Sequence, residues 1–162
     1  MSGKTLIVVD VQSGFVNGHT RHVVPAVERL QAGCERIYAT RFVNAPASPW
    51  RRFMDWRRFA EGSADAELAF RPAAHAMIVE KHVYSCVNEA LLHDLRDRGT
   101  AEVFLCGIDT DACVLVSAVD LFQNGIRPVI LAEACASHAG PEYHEAGLRL
   151  LERLVGADQI IR

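Results

Sequence analysis

Lysine is nearly absent from this sequence. Of its 17 basic residues, only Lys4 and Lys81 are Lys, and the other fifteen are Arg. Where Arg is the default cation, a Lys deep in the chain calls for its own explanation, because the two side chains are not interchangeable. No apolar run approaches the ~18 residues of a membrane helix, so no membrane partner is expected. The five Cys are odd in number and contain no C-x-x-C pair. That excludes a fully paired disulfide framework and fits reduced thiols in a cytoplasmic setting. No excess of positive charge is present: the net charge is -3, which argues against a nucleic-acid partner. The opening MSGKTLIVVDVQ lacks a small-residue cleavage site, so the sequence is expected to carry no export signal.

What is present describes a globular protein. Half of the 162 residues are hydrophobic and 23% are charged, proportions that exclude a disordered tail or a fibre. The length suits one domain, 1-162, with no linker or internal repeat. Short, Val- and Ile-rich runs at 5-11, 37-43, 77-80, 102-107, 128-133 and 158-161 read as strands buried on both faces. Helical spacing occupies 24-34, 87-98, 112-124 and 141-155, with a short helix around 50-60. The alternation predicts an α/β fold: a three-layer αβα arrangement around a single open, mostly parallel six-stranded sheet.

Ligands of such sheets bind at the carboxyl ends of the strands. Asp10 closes the first strand, Lys81 follows the third, and Cys113 follows the fourth after the loop 107-112. Singly, each has an ordinary explanation as a loop cap, a solvated cation and a core thiol. Together they supply an acid/base, a cation and a nucleophile at one sheet edge, which suffices for attack on a carbonyl. A thiol at a helix N-terminus beside a Lys is expected to ionise more readily than usual. Of the other thiols, Cys106 and Cys34 read as packing. Cys86 has no flanking loop suited to an oxyanion, and Cys135 lies after the fifth strand at the same edge.

Three motifs carry a resemblance. LIVVDVQSGF at 6-15, EKHVYS at 80-85 and GIDTDACV at 107-114 resemble, in order and spacing, the signatures of the isochorismatase-like cysteine hydrolase superfamily. That superfamily includes nicotinamidases and N-carbamoylsarcosine amidohydrolases. AEACASHAGPEYH at 132-144 resembles its segment after the fifth strand. The resemblance implies strand order 3-2-1-4-5-6 and a Cys113 nucleophile, an Asp10 proton acceptor and Lys81 as the cation beside the thiolate. It also implies a cis peptide between Ile108 and Asp109, with the backbone N–H groups of Asp109 and Cys113 forming an oxyanion hole. Gln12, Phe15, Phe42 and Trp50 are expected to line the pocket.

The activity implied is hydrolysis of a small-molecule carboxamide or ureido C–N bond through a thioester. The alternatives are a non-amide substrate and a non-hydrolytic binding or redox module. Phe42-Val43-Asn44 stands where nicotinamidases carry D-x-H, so no catalytic metal and no other cofactor are expected. The run Trp50 to Phe59 interleaves four Arg with four aromatics. It is expected to close over the pocket, with its Arg residues available to a substrate carboxylate. His19 and His22 read as surface residues, and His144 as an inter-helix hydrogen bonder. A homo-oligomer is expected from the family's habit and the apolar helices.

Overall fold

The computed structural model describes residues 3–162. Thr5–Val9 forms β1, and all five of its residues are buried, as a strand covered on both faces requires. β2 is Arg36–Phe42, β3 Met77–Lys81, β4 Glu102–Ile108, β5 Arg127–Ala136 and β6 Ile160–Ile161. They form one six-stranded sheet in the order β3-β2-β1-β4-β5-β6, and every pairing is parallel. The architecture and strand order are those expected.

The helices flanking this sheet are α1 (Val23–Gln31), α2 (Pro49–Met54), α3 (Glu89–Asp97), α4 (Leu115–Gln123) and α5 (Pro141–Val155). Local chemistry starts two of them: Ser48 Oγ accepts from Arg51 N–H, and the Asn88 side chain accepts from Leu91 N–H at 2.9 Å. Each interior face is apolar, Leu91 and Leu95 in α3 and Leu148, Leu151 and Val155 in α5. β3 lies at the sheet edge, where Met77 and Ile78 remain exposed.

Two features of the backbone prepare the site. The strand order reverses at β1, which sits between β2 and β4, so a crevice opens beyond the carboxyl ends of these strands. Gly107 lets β1 and β4 close up there. Its φ is +128°, and a Cβ at this position would lie 2.0 Å from the Val9 carbonyl oxygen. Only glycine meets both conditions. The helix expected over 112-124 is split: a π-helical turn, Thr110–Val114, precedes α4. Such turns occur frequently at functional sites, and here the turn holds Cys113.

Candidate active site

Asp10, Lys81 and Cys113, far apart in sequence, meet at the floor of the crevice. Asp10 follows β1 and is fully buried, with a positive φ of 46° that turns it off the strand. Lys81 ends β3 and is 4% exposed. Its Nζ lies 2.7 Å from Asp10 Oδ2 and 3.5 Å from Cys113 Sγ, and it donates to the carbonyls of Val83 (2.8 Å) and Tyr84 (3.0 Å). The ammonium is thus held on four sides, and it also stands 5.3 Å from the centre of the Phe42 ring. Thr40, on β2, fixes the carboxylate: its hydroxyl donates to Asp10 Oδ1 at 2.6 Å and accepts the Asp10 N–H at 3.0 Å.

The electrostatics define the resting protonation. Burial alone would depress the Lys81 ammonium, but its neighbours, the Asp10 carboxylate first among them, outweigh it and hold the group above the ordinary lysine value. Burial pushes the Cys113 thiol well up, and the Asp10 carboxylate, hydrogen-bonded to it, adds to the rise. Lys81 opposes both without cancelling them. Burial thus works against the easily ionised thiol expected from the helix N-terminus. Desolvation exceeds the help from the cation, and the thiol lies above its ordinary value.

Above the thiol lies a cavity of about 280 Å³. Phe15, Phe42, Trp50, Trp56 and Tyr84 wall one part of it, and Asp109, Asp111, Ala112 and His138 another. The aromatics brace one another: Phe42 meets Trp50 edge-on at 5.0 Å, and Trp50 meets Tyr84 edge-on at 5.1 Å. The Ile108–Asp109 peptide is cis. The Asp109 side chain, for which the sequence suggests no role, accepts from the backbone N–H of His138 at 2.7 Å and lies 2.5 Å from its Nδ1.

Phe15, Phe42 and Trp50 line the cavity, whereas Gln12 does not. Its amide is fully buried, donates to the carbonyls of Phe42 and Ala66 at 2.9 Å each, and accepts the Phe42 N–H at 2.9 Å. It ties β1 to β2 behind the pocket instead of meeting a substrate. None of the four Arg of the 50-59 run lines the cavity. Arg58 pairs with Asp65, Arg57 with Asp55, Arg51 donates to the Asn44 carbonyl, and Arg52 lies over Phe53. These residues are not placed to bind a substrate carboxylate.

Cys135 is buried within β5, with its thiol pushed up to about 12 by burial, and does not line the Cys113 cavity. His144 accepts or donates to Thr110 Oγ1 at 2.7 Å, which ties α5 to the π turn. Thr40 and His138 are site residues that sequence reasoning missed. Thr40 sits inside an unremarkable strand, and only its place beside the end of β1 gives it a role.

Metal centres of the nicotinamidase kind do not fit these residues. Asn44, at the last position of the missing D-x-H, commits its amide to the carbonyls of Trp56 and Arg58, at 2.9 Å each. Among the described residues, no group of three or more His, Cys, Asp or Glu side chains could hold a metal ion.

Comparison with known proteins shows what the chain is similar to. A probable isochorismatase of Pseudomonas chlororaphis is 34% identical over 84 residues, which cover 50% of this chain and 40% of that protein. The chain thus spans less than half the length of the first curated relatives it matches. Among solved structures, nicotinamidase PncA from Bacillus subtilis superposes with a TM-score of 0.83 at 26% identity, covering 98% of this chain and 99% of that one. N-carbamoylsarcosine amidase from Thermoplasma acidophilum superposes with a TM-score of 0.81 at 26% identity, covering 98% and 95%. The isochorismatase domain model matches residues 4–160, and the chain belongs to that family.

Proposed function

We propose that this protein is a metal-independent cysteine amidohydrolase that cleaves a C–N bond of a small carboxamide or ureido compound. The observation that carries the reading is the convergence of Cys113, Lys81 and Asp10 beneath an aromatic cavity of about 280 Å³. In the proposed reaction, Cys113 Sγ attacks the carbonyl carbon as its proton passes to the Asp10 carboxylate. Lys81 neutralises the thiolate as it forms, so the ion pair is never left unbalanced. The backbone N–H groups of Asp109 and Cys113 receive the oxyanion, an arrangement in which each donor is worth about 3–4 kcal/mol of barrier. Asp10 returns the proton to the leaving nitrogen and the amine or ammonia departs. Water, deprotonated by Asp10, then hydrolyses the thioester to the acid and restores the thiol.

The burial of Cys113 supports this reading over a redox role, because peroxide-sensing thiols are exposed and ionise readily, whereas Cys113 is 8% exposed and burial pushes its thiol up. Ammonia release from a panel including nicotinamide, benzamide and N-carbamoylsarcosine tests the reading. Turnover of at least one member is expected, with loss of several orders of magnitude in Cys113→Ala and no effect of a chelator. Unchanged turnover in Cys113→Ala would refute the nucleophile, and inhibition by the chelator would refute metal independence.

A further inference from the structure

Asp109 and His138 form a dyad that the proposed hydrolysis does not use. His138 lines the same cavity as Cys113, with its side chain 41% exposed. The ring is clamped from two directions. Asp109 holds both its Nδ1 and its backbone N–H, and the Phe15 ring lies against it with centroids 5.2 Å apart. With Nδ1 spent on Asp109, the opposite nitrogen, Nε2, has no hydrogen-bond partner among the described residues. An imidazole fixed this firmly, with one free nitrogen at the wall of a cavity, is built to meet a ligand.

We propose that His138, oriented by Asp109, is a specificity-determining residue that donates its Nε2–H to a neutral hydrogen-bond acceptor on the substrate, away from the scissile carbonyl. The charge balance of the cavity selects a neutral acceptor. Asp109 and Asp111 line it, His138 offsets one of them, and no Lys or Arg lines it. A substrate carboxylate would face that residual negative charge, and the one positive group it would meet, His138, is already paired with Asp109. The aromatic walls favour a planar molecule, so the class indicated is a flat, uncharged amide with an acceptor atom in its ring. Asp109 is a positioning residue for this contact, while its backbone N–H serves the oxyanion.

The contact requires protonated His138. A neutral ring with Nδ1–H on Asp109 would turn a lone pair toward the ligand. The groups facing the ring are Asp109 and Asp111, which favour the charged form, and Arg58, which opposes it. Their net effect, led by the Asp109 hydrogen bond, raises the His138 value above that of an ordinary His. Donation therefore persists below that raised value and fades as pH climbs through it.

This inference deepens the amidohydrolase reading, but its test does not depend on turnover. Nicotinamide and benzamide differ by one ring acceptor, and Trp50 and Trp56 in the cavity wall report binding by fluorescence. The wild-type protein is expected to bind nicotinamide roughly 10–100-fold tighter than benzamide, the worth of one charge-assisted hydrogen bond. In His138→Leu that preference disappears because nicotinamide alone weakens, and His138→Gln, which keeps a donor, retains part of it. The preference fades with rising pH, and in Asp109→Asn it fades at lower pH. No discrimination by the wild type, or equal weakening of both amides in His138→Leu, overturns the proposal. So does a fall in kcat at unchanged affinity, which would make His138 a base. Discrimination without ammonia release would instead sink the amidohydrolase reading and leave the His138 contact standing.

Discussion

The Asp10–Lys81 pair gives the sharpest test of how this site is held together. Both side chains are almost wholly buried, at 0% and 2% exposure, and their charges lie 2.7 Å apart. Removing either partner leaves a charge in the interior with nothing to balance it, at a cost of about 3–5 kcal/mol. A protein of this size is stable by only about 5–15 kcal/mol, so Asp10→Asn or Lys81→Met should consume roughly a fifth or more of the total. The melting temperature should fall by roughly 6–20 °C, since about 2–4 °C is lost per kcal/mol.

The double variant is expected to cost much less than the sum. It carries no uncompensated charge, and what it still lacks is the donation from Lys81 to the Val83 and Tyr84 carbonyls. Each carbonyl left unsatisfied is worth about 1–3 kcal/mol. Urea denaturation of the four proteins, followed by near-UV circular dichroism, measures the coupling directly. Single-variant losses below about 1 kcal/mol, or additive losses in the double variant, would refute the buried-pair argument. The sign of the pH dependence follows as well. The Lys81 ammonium sits above its ordinary value, so its contribution is complete at neutral pH and is lost only as pH rises through that raised value.

Two further outcomes can be checked with the same protein. Lys81→Arg keeps the charge but brings a planar, bulkier head into a niche whose four contacts suit a compact ammonium. It should fold with a loss of about 1–3 kcal/mol from overpacking and turn over the best amide of the panel at least about 100-fold more slowly. Wild-type rates in Lys81→Arg would show that charge alone matters. Gly107→Ala meets the Val9 backbone at 2.0 Å with a φ of +128°, so it should lose several kcal/mol in thermal melts or fail to accumulate as folded protein. A melt within about 1 kcal/mol of wild type would mean that β1 and β4 can separate there at little cost.

Much of this molecule is legible in its sequence. Strand runs such as TLIVV and the alternation with amphipathic helices specify a parallel sheet, because a strand covered on both faces must be apolar throughout. The meeting of Asp10, Lys81 and Cys113 was legible as well, since each lies at or after the end of a strand and the carboxyl ends of parallel strands share one edge. Lys81 announced itself through scarcity: it is the only Lys besides Lys4.

The rest depended on which side chains the fold brings into contact. Gln12 stands two residues from Asp10, yet its amide points into the β1–β2 joint, and nothing in the local sequence records that direction. Thr40 serves Asp10 only because β1 and β2 pair in a register that sets its hydroxyl beside the carboxylate. The thiol expected to ionise easily is instead pushed up, because proton affinity depends on burial and on nearby charge from distant segments, which local helix-end chemistry does not reveal. Asp109 and His138 are 29 residues apart and became a dyad only when the end of β5 came to lie beside β4. Periodicity and strand-end placement, both local properties, were thus determined by the sequence alone. Proton affinities, hydrogen-bond partners and the charge of the cavity were decided by tertiary structure, because each depends on groups that meet only in three dimensions.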